Sequence, residues 1–279
     1  QSTVISVTDK GKLVKFDETA NTIVSFENQP TSRIYTLKLN SEYLWMGGDK
    51  NQYAHCDLVS RKCQNYETIN GKDSYSAVRN IYQDNNGNMW FGTGKGVYIL
   101  PRNALVVRDL TLIDRKLAAS NIVSIHTLSP ERLLVSTSDN GLFELNTNSR
   151  TSFQYTSQLD TPESTRISKI YKDKMENVWV STHAGLALAD TARKRLTIFD
   201  SNPILARSFV ELENGEMLIA TETKGIVNFD RDSKTYSPFK VAQEEVNPKL
   251  SSNIVLTLYK DSTNLWLGTW DGGVNKIDL

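Results

Sequence analysis

Short apolar runs punctuated by polar turns recur along this chain at a nearly fixed interval. The clearest copies are NIYQDNNGNMWFGTGKGVYIL (80 to 100), KIYKDKMENVWVSTHAGLALA (169 to 189) and TLYKDSTNLWLGTWDGGVNKI (257 to 277). Each holds an apolar pair, an Asp, a polar turn, a Trp, a small residue with Thr, and Gly. Weaker copies begin near 36, 124 and 208, and a truncated one covers 4 to 16. The anchors are Ile5, Trp45, Trp90, Leu134, Trp179, Leu218 and Trp266, separated by 40, 45, 44, 45, 39 and 48 residues. A period of 40 to 50 residues is the mark of a repeat architecture.

Each period reads as four short strands. In the copy at 80 to 100, strand A runs from Val78 to Gln83, a turn spans Asp84 to Asn88, strand B runs from Met89 to Thr93 and strand C from Gly96 to Leu100. A less regular strand D precedes the next copy. Strand B is apolar at successive positions, as a strand covered on both faces requires. The Trp-containing runs are too short for helices and show no 3.6-residue stripe. Four-stranded units at this period predict an all-β fold, a β-propeller of about seven blades across 1–279. The first copy supplies strands B, C and D and the last supplies A, B and C. These pieces overlap, which also suits a segment of a longer double-propeller array.

Several repeated residues have packing roles. A Gly after the anchor, such as Gly92 or Gly268, lets neighbouring sheets approach, and the Trp fills the space between them. Asp84, Asp173 and Asp261 are expected to cap backbone N–H groups in the A–B turns. Trp45, Trp90, Trp179 and Trp266 therefore belong to the core and not to a site.

Composition narrows the function. Of 279 residues, 39% are apolar and 23% charged, a globular and not a disordered balance. The 32 Lys and Arg cancel the 32 Asp and Glu, so the footprint of a nucleic-acid binder or a basic membrane-binding face is missing. The chain lacks an apolar run long enough to span a bilayer, and QSTVISVTDK is no signal peptide. The expectation is a processed chain or fragment whose targeting segment and membrane anchor lie outside it.

Residues 81 to 96, IYQDNNGNMWFGTGKG, resemble the two-component regulator propeller repeat at almost every element, and 258 to 273 do so with Asn264 in place of Gly-Asn. That family is similar to the periplasmic sensor portion of Bacteroidetes-type hybrid two-component histidine kinases. The resemblance implies a periplasmic sensor that binds an oligosaccharide or other small ligand. It also implies a neighbouring propeller or immunoglobulin-like domain, a homodimer partner, and a membrane helix and kinase beyond this chain. On this reading the segment is not an enzyme. The competing readings are a propeller lyase or hydrolase and a protein-interaction scaffold.

Catalytic and metal motifs are sparse. His55, His126 and His183 lie in three different repeats, none at metal-ligand spacing, so neither a metal nor a cofactor is expected. GTGKG at 92 to 96 leads into a strand and cannot present a helix N-terminus to phosphate. Cys56 and Cys63 flank six residues between strands C and D. They form either a disulfide across a hairpin, suited to an oxidising compartment, or two unrelated thiols.

Strand direction supplies a candidate site. In an antiparallel meander the start of strand A and the B–C turn lie at one end of each sheet. The strand A starts include Arg33, Arg79, Asn121, Arg166 and Arg207; the turns include Asp49, Lys50, Lys95, Asp139, His183, Glu222, Trp270 and Asp271. Arginine forks beside carboxylates and an aromatic ring suit a carbohydrate, especially an acidic one. Locally paired, solvated charges are the plainer alternative. Trp270 stands out because the other copies carry small or polar residues at its position.

Overall fold

A computed structural model describes residues 4–7, 12–17, 22–30, 33–40, 42–49, 52–66, 76–103, 108–110, 113–199, 203–240 and 250–279. The fold is an all-β, seven-bladed propeller of small, mainly antiparallel sheets. The described residues divide into two compact units, 1–154 and 155–279.

The first unit holds four sheets. β1 (Val4–Val7), β2 (Leu13–Asp17) and β3 (Thr22–Ser25) form one; β4 (Ile34–Leu39), β5 (Tyr43–Gly48), β6 (Tyr53–Asp57) and β7 (Cys63–Tyr66) form the next. β8 (Val78–Gln83), β9 (Met89–Thr93), β10 (Gly96–Leu100) and β11 (Arg108–Asp109) make the third. A single helical turn, α1 (Arg115–Ala118), leads into the fourth, β12 (Ile122–Ser129), β13 (Arg132–Thr137), β14 (Leu142–Asn146) and β15 (Thr151–Gln154). The strands expected at 78–83, 89–93 and 96–100 have those bounds.

In the second unit, β16 (Thr156–Ser157) and α2 (Pro162–Thr165) precede β17 (Ile167–Lys172), β18 (Val178–Thr182), β19 (Gly185–Asp190) and β20 (Arg195–Ile198). β21 (Ala206–Glu211), β22 (Met217–Thr221), β23 (Ile226–Asp230) and β24 (Thr235–Pro238) form the next sheet, and β25 (Val255–Lys260), β26 (Asn264–Thr269) and β27 (Val274–Asp278) the last. Not every sheet has four strands. The first and last have three, and β16 pairs parallel to β20 as a fifth strand.

The core lies between successive sheets. Trp90, Val97, Ile122, Leu133 and Phe143 form one such layer, and Trp179, Phe209, Ile219 and Phe229 another. The close approach explains the glycine in strand B. A Cβ on Gly92 would stand 2.7 Å from Ile122 Cγ2 of the following sheet. The repeat's Thr and second Gly close the B–C turn: the Thr93, Thr182 and Thr269 hydroxyls donate to the carbonyls of Gly96, Gly185 and Gly273 at 3.1, 2.7 and 2.9 Å. All three glycines have positive φ, where a side chain is strained. Cys56 and Cys63 are direct partners across β6 and β7 and are joined by a disulfide.

The repeat Asp does more than cap a turn. Asp84 Oδ1 accepts the backbone N–H groups of Asn86 and Asn88, while Oδ2 accepts the Trp90 indole N–H at 2.9 Å. Asp173 with Trp179 and Asp261 with Trp266 repeat this bond at the same distance. One carboxylate thus holds the turn and satisfies the only polar atom of a buried ring.

Candidate functional site

The expected rim is built by hydrogen bonds between the start of strand A and the B–C turn. Within single sheets, Asp49 N–H donates to the Arg33 carbonyl, His183 to Arg166 and Trp270 to Ile254, at 3.1, 2.9 and 3.0 Å. Gly94 with Ala77 and Ser138 with Asn121 follow the same pattern. Lys50 lies outside the described residues.

A β-bulge near the start of strand A aims side chains at this rim. The pairing with strand B shifts between Ile34 and Thr36, Val78 and Asn80, Ile122 and Ser124, Ile167 and Lys169, Ala206 and Ser208, and Val255 and Thr257. A bulge leaves its extra residue unpaired and re-aims it. Those residues are Tyr35, Arg79, Val123, Ser168, Arg207 and Leu256. Arg79 and Arg207 are each the second residue of their strand, and both are exposed at the bulge.

In the first unit, Tyr35 hydroxyl donates to Asp49 Oδ1 at 2.8 Å, and the Arg79 guanidinium lies 4.7 Å from the centre of the Tyr35 ring. Tyr35 is a member that strand-end reasoning missed, because the bulge brings an interior strand residue to the rim. Arg33 has its carbonyl in the turn and its side chain exposed.

In the second unit, the Arg207 guanidinium grips one Glu222 carboxylate oxygen through Nε and Nη2. His183 lies within electrostatic reach of Arg166, Arg207 and Glu163. Burial lowers the His183 pKa, and both arginines lower it further against the opposing pull of Glu163, so the imidazole is neutral at neutral pH. Arg166 is exposed and makes no ion pair among the described residues. The group is thus one free guanidinium, one compensated guanidinium and a neutral ring. Trp270 and Asp271 occupy the β26–β27 turn, where Trp270 is 68% exposed. No hydrogen bond or ion pair joins their side chains to the other candidates among the described residues. Those residues also hold no group of three or more His, Cys, Asp or Glu placed to bind a metal ion, and no helix long and apolar enough to cross a membrane.

This geometry defines a propeller with a charged, aromatic-bearing rim. Residues 73–95 match the two component regulator propeller family, so the chain carries that family's repeat. It is similar to the extracellular domain of BT3049 of B. thetaiotaomicron, described as a hybrid two component system, with 19% identity and a TM-score of 0.78 over 98% of this chain and 39% of that one. The extracellular domain of BT4673 of the same organism, described as a one component system, gives 18% identity and a TM-score of 0.75, with 98% and 38% covered. The chain thus spans about two fifths of each. Virginiamycin B lyase of Staphylococcus aureus is also similar, at 14% identity and a TM-score of 0.72, with 99% and 94% covered. No curated protein matches the sequence.

Proposed function

We propose that this chain is the ligand-binding part of a periplasmic sensor in a two-component system, and that it binds an acidic oligosaccharide on the strand A rim. The observation that carries the reading is the Arg166, His183 and Arg207 group. A free guanidinium beside a neutral imidazole can accept a carboxylate or sulfate through a charge-assisted fork. Glu222 holds Arg207 in place and Trp270 offers an open ring face for stacking. In the first unit, Arg33, Asp49 and Arg79 with Tyr35 supply a similar mixture of donors, acceptor and ring. Output through a membrane helix and histidine kinase, and contacts with a neighbouring domain or second copy, belong to the whole protein on this reading.

Calorimetric titration with a panel of neutral and acidic oligosaccharides tests it. Arg166→Ala should weaken an acidic ligand more than a neutral one. Trp270→Ala should cost roughly 0.5 to 1.5 kcal/mol, a weakening of up to about tenfold. Both residues are exposed, so melting temperatures should hold. Unchanged affinity in both variants for a ligand that binds would remove the rim from the account, and product formation would replace the sensor with a lyase or hydrolase.

A further inference from the structure

We propose that the second unit carries another binding site, for a small ring-bearing carboxylate, in the cleft at the other end of its strands. This cleft of about 420 Å³ lies where β17, β21 and β25 run into their A–B turns. Small-molecule sites have volumes of roughly 300 to 1,000 Å³ and combine apolar walls with a few polar groups. The proposal is independent of the rim, which lies at the opposite end of the same strands.

The walls are aromatic. Tyr171 and Phe209 stack with ring centres 5.1 Å apart and planes 9° from parallel. Beside them Tyr259, on the last A strand, is 56% exposed. An open tyrosine face next to a cleft is a stacking surface for a flat or ring-shaped ligand.

The polar groups select an anion. Two carboxylates line the cleft, but neither is free. Asp173 accepts from the backbone N–H groups of Met175 and Asn177, the Asn177 amide, the Trp179 indole and Arg231. Glu211 accepts from the Lys174 backbone N–H, the Tyr171 hydroxyl and Arg231. Their side chains are 0% and 3% exposed. Burial would raise the Asp173 pKa, yet the hydrogen bonds from Trp179, Asn177 and Arg231 outweigh it and hold the carboxyl below its ordinary value. With these charges held by Arg231 and fixed donors, the cations at the mouth decide what enters. Lys174 has no ion pair among the described residues. Lys172 pairs with Glu176, and Lys260 pairs with Glu213 while also donating to the Asp261 carbonyl at 3.0 Å. The two partner carboxylates are 77% and 83% exposed; such pairs are worth little and exchange readily.

A sugar acid and an aromatic acid both meet this description, so D-glucuronate and 4-hydroxybenzoate serve as probes, with D-glucose as the neutral control. Saturation-transfer NMR on the chain should detect at least one acid and not glucose, and the acid that binds identifies the source. Tyr259→Ala and Lys174→Gln should each weaken that acid at least fivefold, with an unchanged melting temperature because both side chains are exposed. Arg166→Ala should leave it unaffected. The proposal is overturned if neither acid binds, if glucose binds as well as the acids, or if binding survives both cleft variants. Loss of binding in Arg166→Ala alone would assign the acid to the rim and likewise overturn it.

Discussion

Replacing Asn40 with Asp should stabilise this protein, because the second sheet lacks one bond that three others possess. Asn40 stands five residues before Trp45, as Asp261 stands before Trp266. Its Oδ1 accepts the N–H groups of Glu42 and Tyr43 at 2.9 and 2.7 Å, as Asp261 Oδ1 accepts those of Thr263 and Asn264. The second carboxylate oxygen of Asp261 takes the Trp266 indole N–H at 2.9 Å. In Asn40 the remaining amide atom is a donor, and the Trp45 indole nitrogen is buried without a partner. An unsatisfied buried donor costs about 1 to 3 kcal/mol. After allowing for partial desolvation of the new carboxylate, the expected gain is about 1 to 2 kcal/mol. That corresponds to a melting increase of roughly 2 to 8 °C, since about 2 to 4 °C per kcal/mol is usual for domains only slightly smaller. The Trp266 indole is the largest cause holding the Asp261 carboxyl below its ordinary value, so the new carboxyl should also be depressed. Its stabilisation should be full above the unfolded Asp pKa of about 3.9 and disappear as the pH falls through the folded value. Urea melts at pH 7 and at acid pH measure this, with Trp45→Phe completing a double-mutant cycle. A gain of the same size in the Trp45→Phe background, or no gain at pH 7, refutes the reasoning.

Trp90→Ala should cost about 3 to 5 kcal/mol in urea unfolding, since the ring is almost fully buried and its loss also removes one of the two side-chain donors on Asp84 Oδ2. Reducing the Cys56–Cys63 bond, or replacing both residues with Ala, should lower stability by about 2 to 3 kcal/mol, because a loop with a sequence separation of 7 is released. Melting with and without reductant checks this. His183 has a folded pKa below its unfolded value, so the unfolded chain binds more protons between the two, and stability should fall as pH drops below about 6.5. His183→Gln should flatten that part of the stability profile; an unaltered slope would rule out His183 as its source.

The strand plan was legible because its signals are local. Gly96, Gly185 and Gly273 mark positive-φ turns, and Trp90, Trp179 and Trp266 mark the buried strand. The rim was only partly legible. Whether a residue lies at a strand's end follows from counting, but the bulge is a backbone event with no residue preference here. Its occupants, Tyr35, Arg79, Val123, Ser168, Arg207 and Leu256, share neither size nor charge. Hence Tyr35, at the bulge of β4, is not visible as a rim residue in the sequence. The cleft was illegible for another reason: Tyr171, Phe209 and Tyr259 are separated by 38 and 50 residues, and each looks like an ordinary strand residue until three A strands are set side by side.

The sixth sheet shows why the Asp and Trp of this repeat should be treated as one unit. Leu212 occupies the Asp place, with its N–H bonded to the Glu216 carbonyl as that of Asp173 is to Asn177. Leu218, six residues on, occupies the Trp place, and both leucines join one apolar cluster. Exchanging both members of a buried hydrogen bond for apolar groups can be nearly neutral, whereas losing one strands the other. Among the described residues these five sheets thus hold three hydrogen-bonded pairs, one apolar pair, and one broken pair at Asn40 and Trp45. Only the broken pair leaves a buried donor without a partner. A conserved ligand contact would favour keeping the Asp whether or not its Trp is present; the joint exchange at Leu212 and Leu218 instead follows the requirements of packing. The proposed rim and cleft sites accordingly draw on residues that differ from sheet to sheet, such as Arg166, His183 and Trp270 or Lys174 and Tyr259.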